Sequence, residues 1–97
     1  MPEQTHKPEV RHNVAASRFE LQVDGSIAVL EYSLQAGTIT FTHTGVPSEL
    51  EGGGIGSQLA RAGLEYARAN ALKVVPVCWF VAGYIERHTE YQDLLKS

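Results

Sequence analysis

The sequence predicts an α+β fold in which an antiparallel meander of strands is followed by a strand-loop-helix-strand unit. The chain has 97 residues, which is the size of one compact domain. Its first half alternates apolar with polar residues, the period of a half-buried strand, whereas the three-to-four-residue period of a helix first appears after residue 54. Since the period changes once, we expect most strands to come first and the main helix to follow them.

The N-terminal part of the chain divides into a lead-in and a meander. Residues 1–17 show no apolar period, so we predict a flexible lead-in there and a single domain over residues 18–97. Residues 19–23 alternate as a strand, and Asp24-Gly25 supplies the residue types of a tight hairpin turn. Residues 27–34 then return, and residues 38–44 alternate again, with His43 expected on the face of Ile39 and Phe41.

The second half predicts a helix and a parallel strand. Ile55, Leu59, Ala62 and Tyr66 lie at helical spacing, and we expect that helix to end near Asn70. Residues 72–78 form an apolar, β-branched run, and a strand that returns through one helix should pair in parallel. A short helix should follow over residues 84–87, and residues 89–92 have the form of a capping box that starts a last helical turn.

Composition and charge argue against several classes of protein. Eight Lys and Arg against eleven Asp and Glu give a formal charge of −3, which disfavours nucleic acid as a partner. One cysteine and four scattered histidines show no metal-ligand spacing, so we expect no metal. No apolar stretch is long enough for a bilayer, so no membrane partner is expected. The lone thiol favours a cytoplasmic location.

Four glycines within five residues stand where the helix should begin. Glycine allows a ligand to approach the backbone, and the amides and dipole of a first helical turn favour phosphate. The pattern is neither a Walker A loop, which needs a lysine, nor a Rossmann fingerprint, which needs glycine at the position of Leu59. The alternative is a loop that only turns a strand into a helix. We predict a seat for a pyrophosphate.

Linked motifs then carry a resemblance to a known family. His43-Thr44-x-Val46-Pro47, Gly52-x-Gly54-Ile55-Gly56, Pro76-x-Cys78 and the stretch from Tyr84 to Leu94 occur in an order that resembles the GNAT acetyltransferase superfamily, and most closely its small single-domain branch, over residues 19–95. The resemblance implies a GNAT-like fold with splayed parallel strands and acetyl-CoA as co-substrate between them. It places the pyrophosphate on the backbone of Gly52, Gly53, Gly54, Ile55, Gly56 and Ser57, and the pantetheine arm along Thr44, Gly45 and Val46.

Two positions depart from the pattern of that superfamily. Glu51 stands where Arg or Gln is usual, and Gly53 where a basic residue is common. A carboxylate facing a pyrophosphate would weaken its binding. Because residues 48–51 have the form of a capping box, we expect Glu51 to bond the local backbone instead.

Three side chains are candidates for catalysis: Cys78, His43 and Tyr84. Cys78 at the end of the apolar strand could accept the acetyl group or simply line the pocket. His43 is a candidate base, or else a half-buried hydrogen-bonded histidine. By resemblance to many GNAT enzymes Tyr84 could protonate the leaving thiolate, or else it packs in the core. Trp79-Phe80 is expected to plug the core, although an exposed Trp79 would indicate acceptor binding.

These observations favour one function and leave another open. The leading hypothesis is an acetyl-CoA-dependent N-acetyltransferase acting on an unidentified amine, such as an exposed amine of a protein. The alternative is a non-catalytic module that binds acyl-CoA or a protein partner, which needs the glycines but no base. A purely structural domain would bind no coenzyme A at all.

Overall fold

The computed structural model describes residues 9–96 and contains one five-stranded sheet in the order β1-β2-β3-β4-β5. The strands are β1 (Val10–Asn13), β2 (Arg18–Val23), β3 (Ser26–Gln35), β4 (Thr38–Gly45) and β5 (Lys73–Pro76). The first four strands pair antiparallel, and β5 pairs parallel to β4. The helices are α1 (Ile55–Ala69) and α2 (Trp79–Arg87), with 3₁₀ turns at Ser48–Leu50 and Thr89–Leu94. The predicted α+β class, the meander and the parallel crossover are confirmed.

Strand β1 corrects the prediction of a flexible lead-in over residues 1–17. Val10 pairs with Leu21 and His12 with Phe19, so regular structure begins eight residues before Arg18; residues 1–8 lie outside the described part of the chain. The His12 ring stacks on Phe19 at 4.1 Å between centroids and meets Tyr66 of α1 edge-on at 4.5 Å. These contacts join distant parts of the chain, so a local apolar period does not reveal them.

One face of the sheet and the helices enclose the core. The fully buried side chains come from β2 to β5, α1 and α2, and the largest are Leu21, Leu30, Ile39, Phe41, Leu59, Leu64, Val74 and Val81. Helix α1 lies close to the sheet because Gly63 has no side chain: a Cβ there would lie 2.8 Å from the Phe41 ring. The residues on the opposite face of the sheet, such as Glu31 and Thr40, are half-buried or exposed.

A β-bulge in β4 reverses which side chains face the helices. Tyr32 pairs with Phe41 and Glu31 pairs with His43, which leaves Thr42 without a partner in β3. Paired residues of antiparallel strands share a face. Thr44, in register with buried Leu30, therefore faces the helices, and the prediction that His43 shares the face of Ile39 and Phe41 is wrong. The extra residue interrupts the alternation on which that prediction rested.

Tertiary contacts rather than a capping box hold the C-terminal turn. No side chain caps the turn at Thr89–Leu94, so the predicted capping box is wrong. Instead, the Arg68 guanidinium donates to the Glu90 carbonyl at 2.6 Å and to the Asp93 carboxylate at 3.0 Å, and it lowers the pKa of Asp93. The Tyr91 hydroxyl donates to the Glu65 carboxylate at 2.6 Å. Burial, with that carboxylate beside it, raises the pKa of Tyr91 to about 12.

Candidate functional site

The parallel strands β4 and β5 separate beside the start of α1. Their last pair is Phe41 with Pro76, and the Cys78 amide still donates to the Phe41 carbonyl at 2.9 Å. Pro76 has no N–H with which to extend the ladder, while β4 continues to Gly45. The separation opens a cleft of about 620 Å³ between the end of β4, the glycine loop (residues 52–57) and the start of α2.

The glycine loop presents a row of unpaired main-chain amides. Gly52 and Gly54 have φ angles of +90° and +77°, and a Cβ on either would meet no atom within 4 Å. Gly54 precedes the first residue of α1, and the first helical hydrogen bond runs from the Gln58 amide to the Gly54 carbonyl at 3.0 Å. Within residues 9–96, none of the amides of residues 52–57 donates a hydrogen bond to the protein. Such a row of free amides at a helix N-terminus can bind an anion.

Most of the predicted cofactor-binding residues line this cleft. Those that do are Thr44, Val46, Gly52, Gly54, Ile55, Gly56 and Ser57. Gly45 and Gly53 are not in its wall. A Cβ on Gly45 would lie 3.2 Å from the His43 imidazole, and one on Gly56 would lie 2.8 Å from the Phe80 ring. The absence of a side chain at Gly56 therefore leaves space for the Phe80 ring. A larger residue at position 56 would displace that ring and change the shape of the cleft even without a ligand.

The charge around the cleft differs from expectation. Glu51 is exposed and lines the cleft, and the turn at Ser48–Leu50 has no side-chain cap, so the expected capping role of Glu51 is wrong. Glu49 accepts a hydrogen bond from the Ser26 hydroxyl, which lowers the pKa of Glu49. In the described part of the chain no Lys or Arg lines the cleft. Main-chain amides, rather than side-chain cations, are the groups there that can attract phosphate.

The three catalytic candidates lie in different surroundings. Cys78 is buried in the cleft wall immediately before α2, and its Sγ lies 3.0 Å from the Thr44 hydroxyl. His43 is exposed and also lines the cleft. Tyr84 does not: it is buried, its ring stacks on His88 at 3.9 Å, and burial raises its pKa. Cys78 and His43 therefore both line the cleft, but Cys78 contacts Thr44 on the helix side of the sheet whereas His43 projects from the opposite face. Tyr84 has the packing role that the sequence also allowed.

Two features of the site were not predicted from the sequence. The contact between the Thr44 and Cys78 side chains depends on the bulge at Thr42, which no local period reveals. Trp79 and Phe80 lie in different surroundings. Phe80 packs over Gly56 as the expected plug, whereas the Trp79 side chain is 82% exposed in the cleft wall. Trp79 is therefore not part of the predicted hydrophobic plug.

The described residues lack the features of two other kinds of site. No helix there combines the length and the apolar character that crossing a bilayer requires. Residues 9–96 contain no group of three or more His, Cys, Asp or Glu side chains arranged to hold a metal ion.

Comparison with known proteins gives concordant matches. The family described as GCN5-related N-acetyl-transferase matches residues 18–94. Protein NATD1 of Homo sapiens is 30% identical over 82 residues, covering 81% of this chain and 73% of that protein, and NATD1 of Xenopus tropicalis is 26% identical over 83 residues, covering 81% and 75%. The NMR solution structure of a GCN5-like protein from Staphylococcus aureus superposes with a TM-score of 0.71 at 30% identity, covering 92% of this chain and 88% of that one.

Proposed function

Because this chain belongs to the GCN5-related N-acetyltransferase family, we propose that it transfers the acetyl group of acetyl-CoA to an amine. The observation that carries the proposal is the row of unpaired amides at residues 52–57 beside the gap between β4 and β5. A ligand of this site needs an anionic group for the amides and a slender arm for the gap. Acetyl-CoA has both, as its pyrophosphate and its pantetheine.

The loop supports this fit because it leaves room where a ligand must approach. Gly52 and Gly54 line the cleft, and the space beside their Cα atoms is open. We assign the pyrophosphate to the amides of residues 52–57 and the positive end of the α1 dipole. The edge of β4 beyond Phe41 has no partner in β5, so its main-chain groups are free to pair with the pantetheine arm.

We assign the proton transfer at the other end of the cleft to His43. An amine must lose its ammonium proton before it can attack, and we assign that proton to the exposed imidazole of His43. The amine nitrogen then bonds to the thioester carbon, the carbon–sulfur bond breaks, and the coenzyme A thiolate leaves and takes up a proton.

Cys78 is best explained as a wall of the acyl pocket. A nucleophilic thiol needs a base to activate it, and the side-chain partner of Cys78 within the described residues is the Thr44 hydroxyl. We therefore propose direct transfer to the amine, with Cys78 and Thr44 beside the acetyl group. A reducing compartment such as the cytoplasm suits this site, since the thiol stays unmodified there.

Binding is tested by a pair of matched glycine variants. Gly54 and Gly37 have φ angles of +77° and +81°, and neither has an atom within 4 Å of its Cβ position. Alanine at either site costs about 1–2 kcal/mol of backbone strain, but only Gly54→Ala adds a methyl group to the cleft and turns the amides. We expect calorimetry to show at least about tenfold weaker acetyl-CoA binding for Gly54→Ala, and unchanged binding for Gly37→Ala at equal thermal stability.

Transfer is tested separately from binding. Coenzyme A release and amide product are measured with amines that are charged and uncharged at neutral pH. Equal affinities of the two glycine variants for acetyl-CoA would show that the glycine loop is not part of the binding site. Tight acetyl-CoA binding without product from any amine would instead favour the alternative, a non-catalytic acyl-CoA-binding module.

A further inference from the structure

The open face of the sheet carries a carboxylate beside the catalytic end of the cleft. The bulge at Thr42 places Glu31 of β3 in register with His43 of β4, so the two side chains project from the same face, opposite α1. Directly opposed residues of an antiparallel pair have Cβ atoms about 4.5–5.5 Å apart. Glu31 therefore lies next to the imidazole that borders the cleft.

The Glu31 carboxylate is not used by the fold. Arg18 of β2 is also in register with Glu31, but its Nε donates to Glu20 at 2.6 Å. Asn13 donates to the same Glu20 carboxylate at 2.9 Å, and both bonds lower the pKa of Glu20. Among the described residues, no side chain donates a hydrogen bond to the carboxylate of Glu31, which is half-buried. A half-buried acid without a partner is suited to an external cation.

We propose that Glu31 selects the acceptor: its carboxylate docks an alkylammonium group on the open face of the sheet, beside His43. The inference rests on the proposed function. Docked there, the ammonium gives one proton to the His43 imidazole, and the neutral amine nitrogen attacks the thioester carbon. The carbon–nitrogen bond forms, the carbon–sulfur bond breaks, and the products are the amide, coenzyme A and one proton.

The opposite wall of the cleft fits the same acceptor. Val77 and Trp79 are 65% and 82% exposed and both line the cleft. An apolar, aromatic lip can cover the methylenes of an alkylamine and attract its charge. The titratable side chains that share the cleft or the register with His43 are Glu31, Glu51 and Cys78, and the neighbouring cation Arg18 is paired with Glu20. The surroundings thus favour a positively charged acceptor over a carboxylate-bearing one.

The test compares Glu31→Gln with Glu86→Gln, which removes an exposed carboxylate of α2 away from the cleft and leaves the Arg18–Glu20 ion pair intact. The acceptors are Nα-acetyl-lysine amide, which is an ammonium ion at neutral pH, and aniline, which is uncharged. We expect Glu31→Gln to raise KM for the lysine compound at least about tenfold with little change in kcat, because a hydrogen bond to a charged group is lost. KM for aniline and the affinity for acetyl-CoA should stay unchanged, and Glu86→Gln should leave both KM values unchanged.

Each outcome decides between the inference and the function on which it rests. If Glu31→Gln changed KM equally for both acceptors, or for neither, the proposed role of Glu31 would be wrong while the proposed transferase activity would stand. Acetylation of aniline but not of the lysine compound by the unaltered protein would do the same. Absence of product from both acceptors would overturn the proposed function and this inference together.

Discussion

At the scale of single residues, the site combines groups that sequence patterns find easily with groups that they miss. The glycines at 52 and 54 were predictable because a dense glycine cluster before a helix has few structural explanations, and their positive φ angles agree with that interpretation. The orientation of His43 was not predictable, because one extra residue at Thr42 reverses the alternation. Exposure of Trp79 likewise depends on where α2 begins, which is at Trp79 rather than near Tyr84.

The carboxylate of Glu51 should weaken the binding of acetyl-CoA. Its exposed carboxylate lines the cleft. At an assumed separation of about 8 Å in water-like surroundings, a carboxylate opposes the binding of a doubly charged pyrophosphate by about 1 kcal/mol. We expect Glu51→Gln to tighten acetyl-CoA binding about fivefold at low salt, with a smaller gain at high salt. Calorimetry at two ionic strengths measures this.

A charge control separates local from global effects of that substitution. Glu86 is exposed on α2 and does not line the cleft, so Glu86→Gln changes net charge equally and should leave affinity unchanged. Equal affinities of Glu51→Gln and the unaltered protein at low salt would show that the anion binds away from this loop.

At the scale of elements, the local sequence pattern predicted the long, strongly periodic helix and strands but not the short strand β1. Helix α1 ends at Ala69, as its spacing predicts, and β5 follows in parallel. Strand β1 has four residues and owes its position to His12, whose ring packs between Phe19 and Tyr66 and whose Nε2 lies 2.6 Å from the Tyr32 hydroxyl. Four residues are too few to show a period.

The packing of His12 makes the stability of β1 depend on pH. Burial lowers the pKa of His12 below its usual 6.5, so the unfolded chain binds a proton more readily than the folded protein. This contribution is complete above that value and is lost as the pH falls through the lower pKa of the folded state. We expect the melting temperature to fall between pH 7.5 and about pH 5.5.

The variant His12→Phe is the matched comparison, because it keeps a ring against Phe19 and Tyr66 but cannot take a charge. Its melting temperature should fall less over the same range. Glu20, whose pKa is lowered from 4.5, and Asp93, whose pKa is lowered from 3.8, act at more acidic pH and do not contribute in this window. Parallel curves for the two proteins would exclude His12 as the source.

At the scale of the whole molecule, one sheet separates two tasks. The core, with α1 and α2, lies on one face and holds the glycine loop against the gap between β4 and β5, and His43 projects from the opposite face, where we propose that the acceptor docks. The fold class followed from the sequence because the change of period is a local signal, and the separation of the parallel strands was implied by the family resemblance. The contact of Thr44 with Cys78 and the pairing of Glu31 with His43 did not follow from the sequence, since both depend on the bulge at Thr42.

The most direct test of the central claim is an NMR titration of the ¹⁵N-labelled protein with acetyl-CoA. The amide signals of residues 52–57 should shift most, because their N–H groups exchange water for pyrophosphate oxygens, and signals of the β2–β3 hairpin at residues 22–27 should not move. Shifts confined to other segments, or none at millimolar ligand, would contradict the assignment of this loop as the pyrophosphate seat.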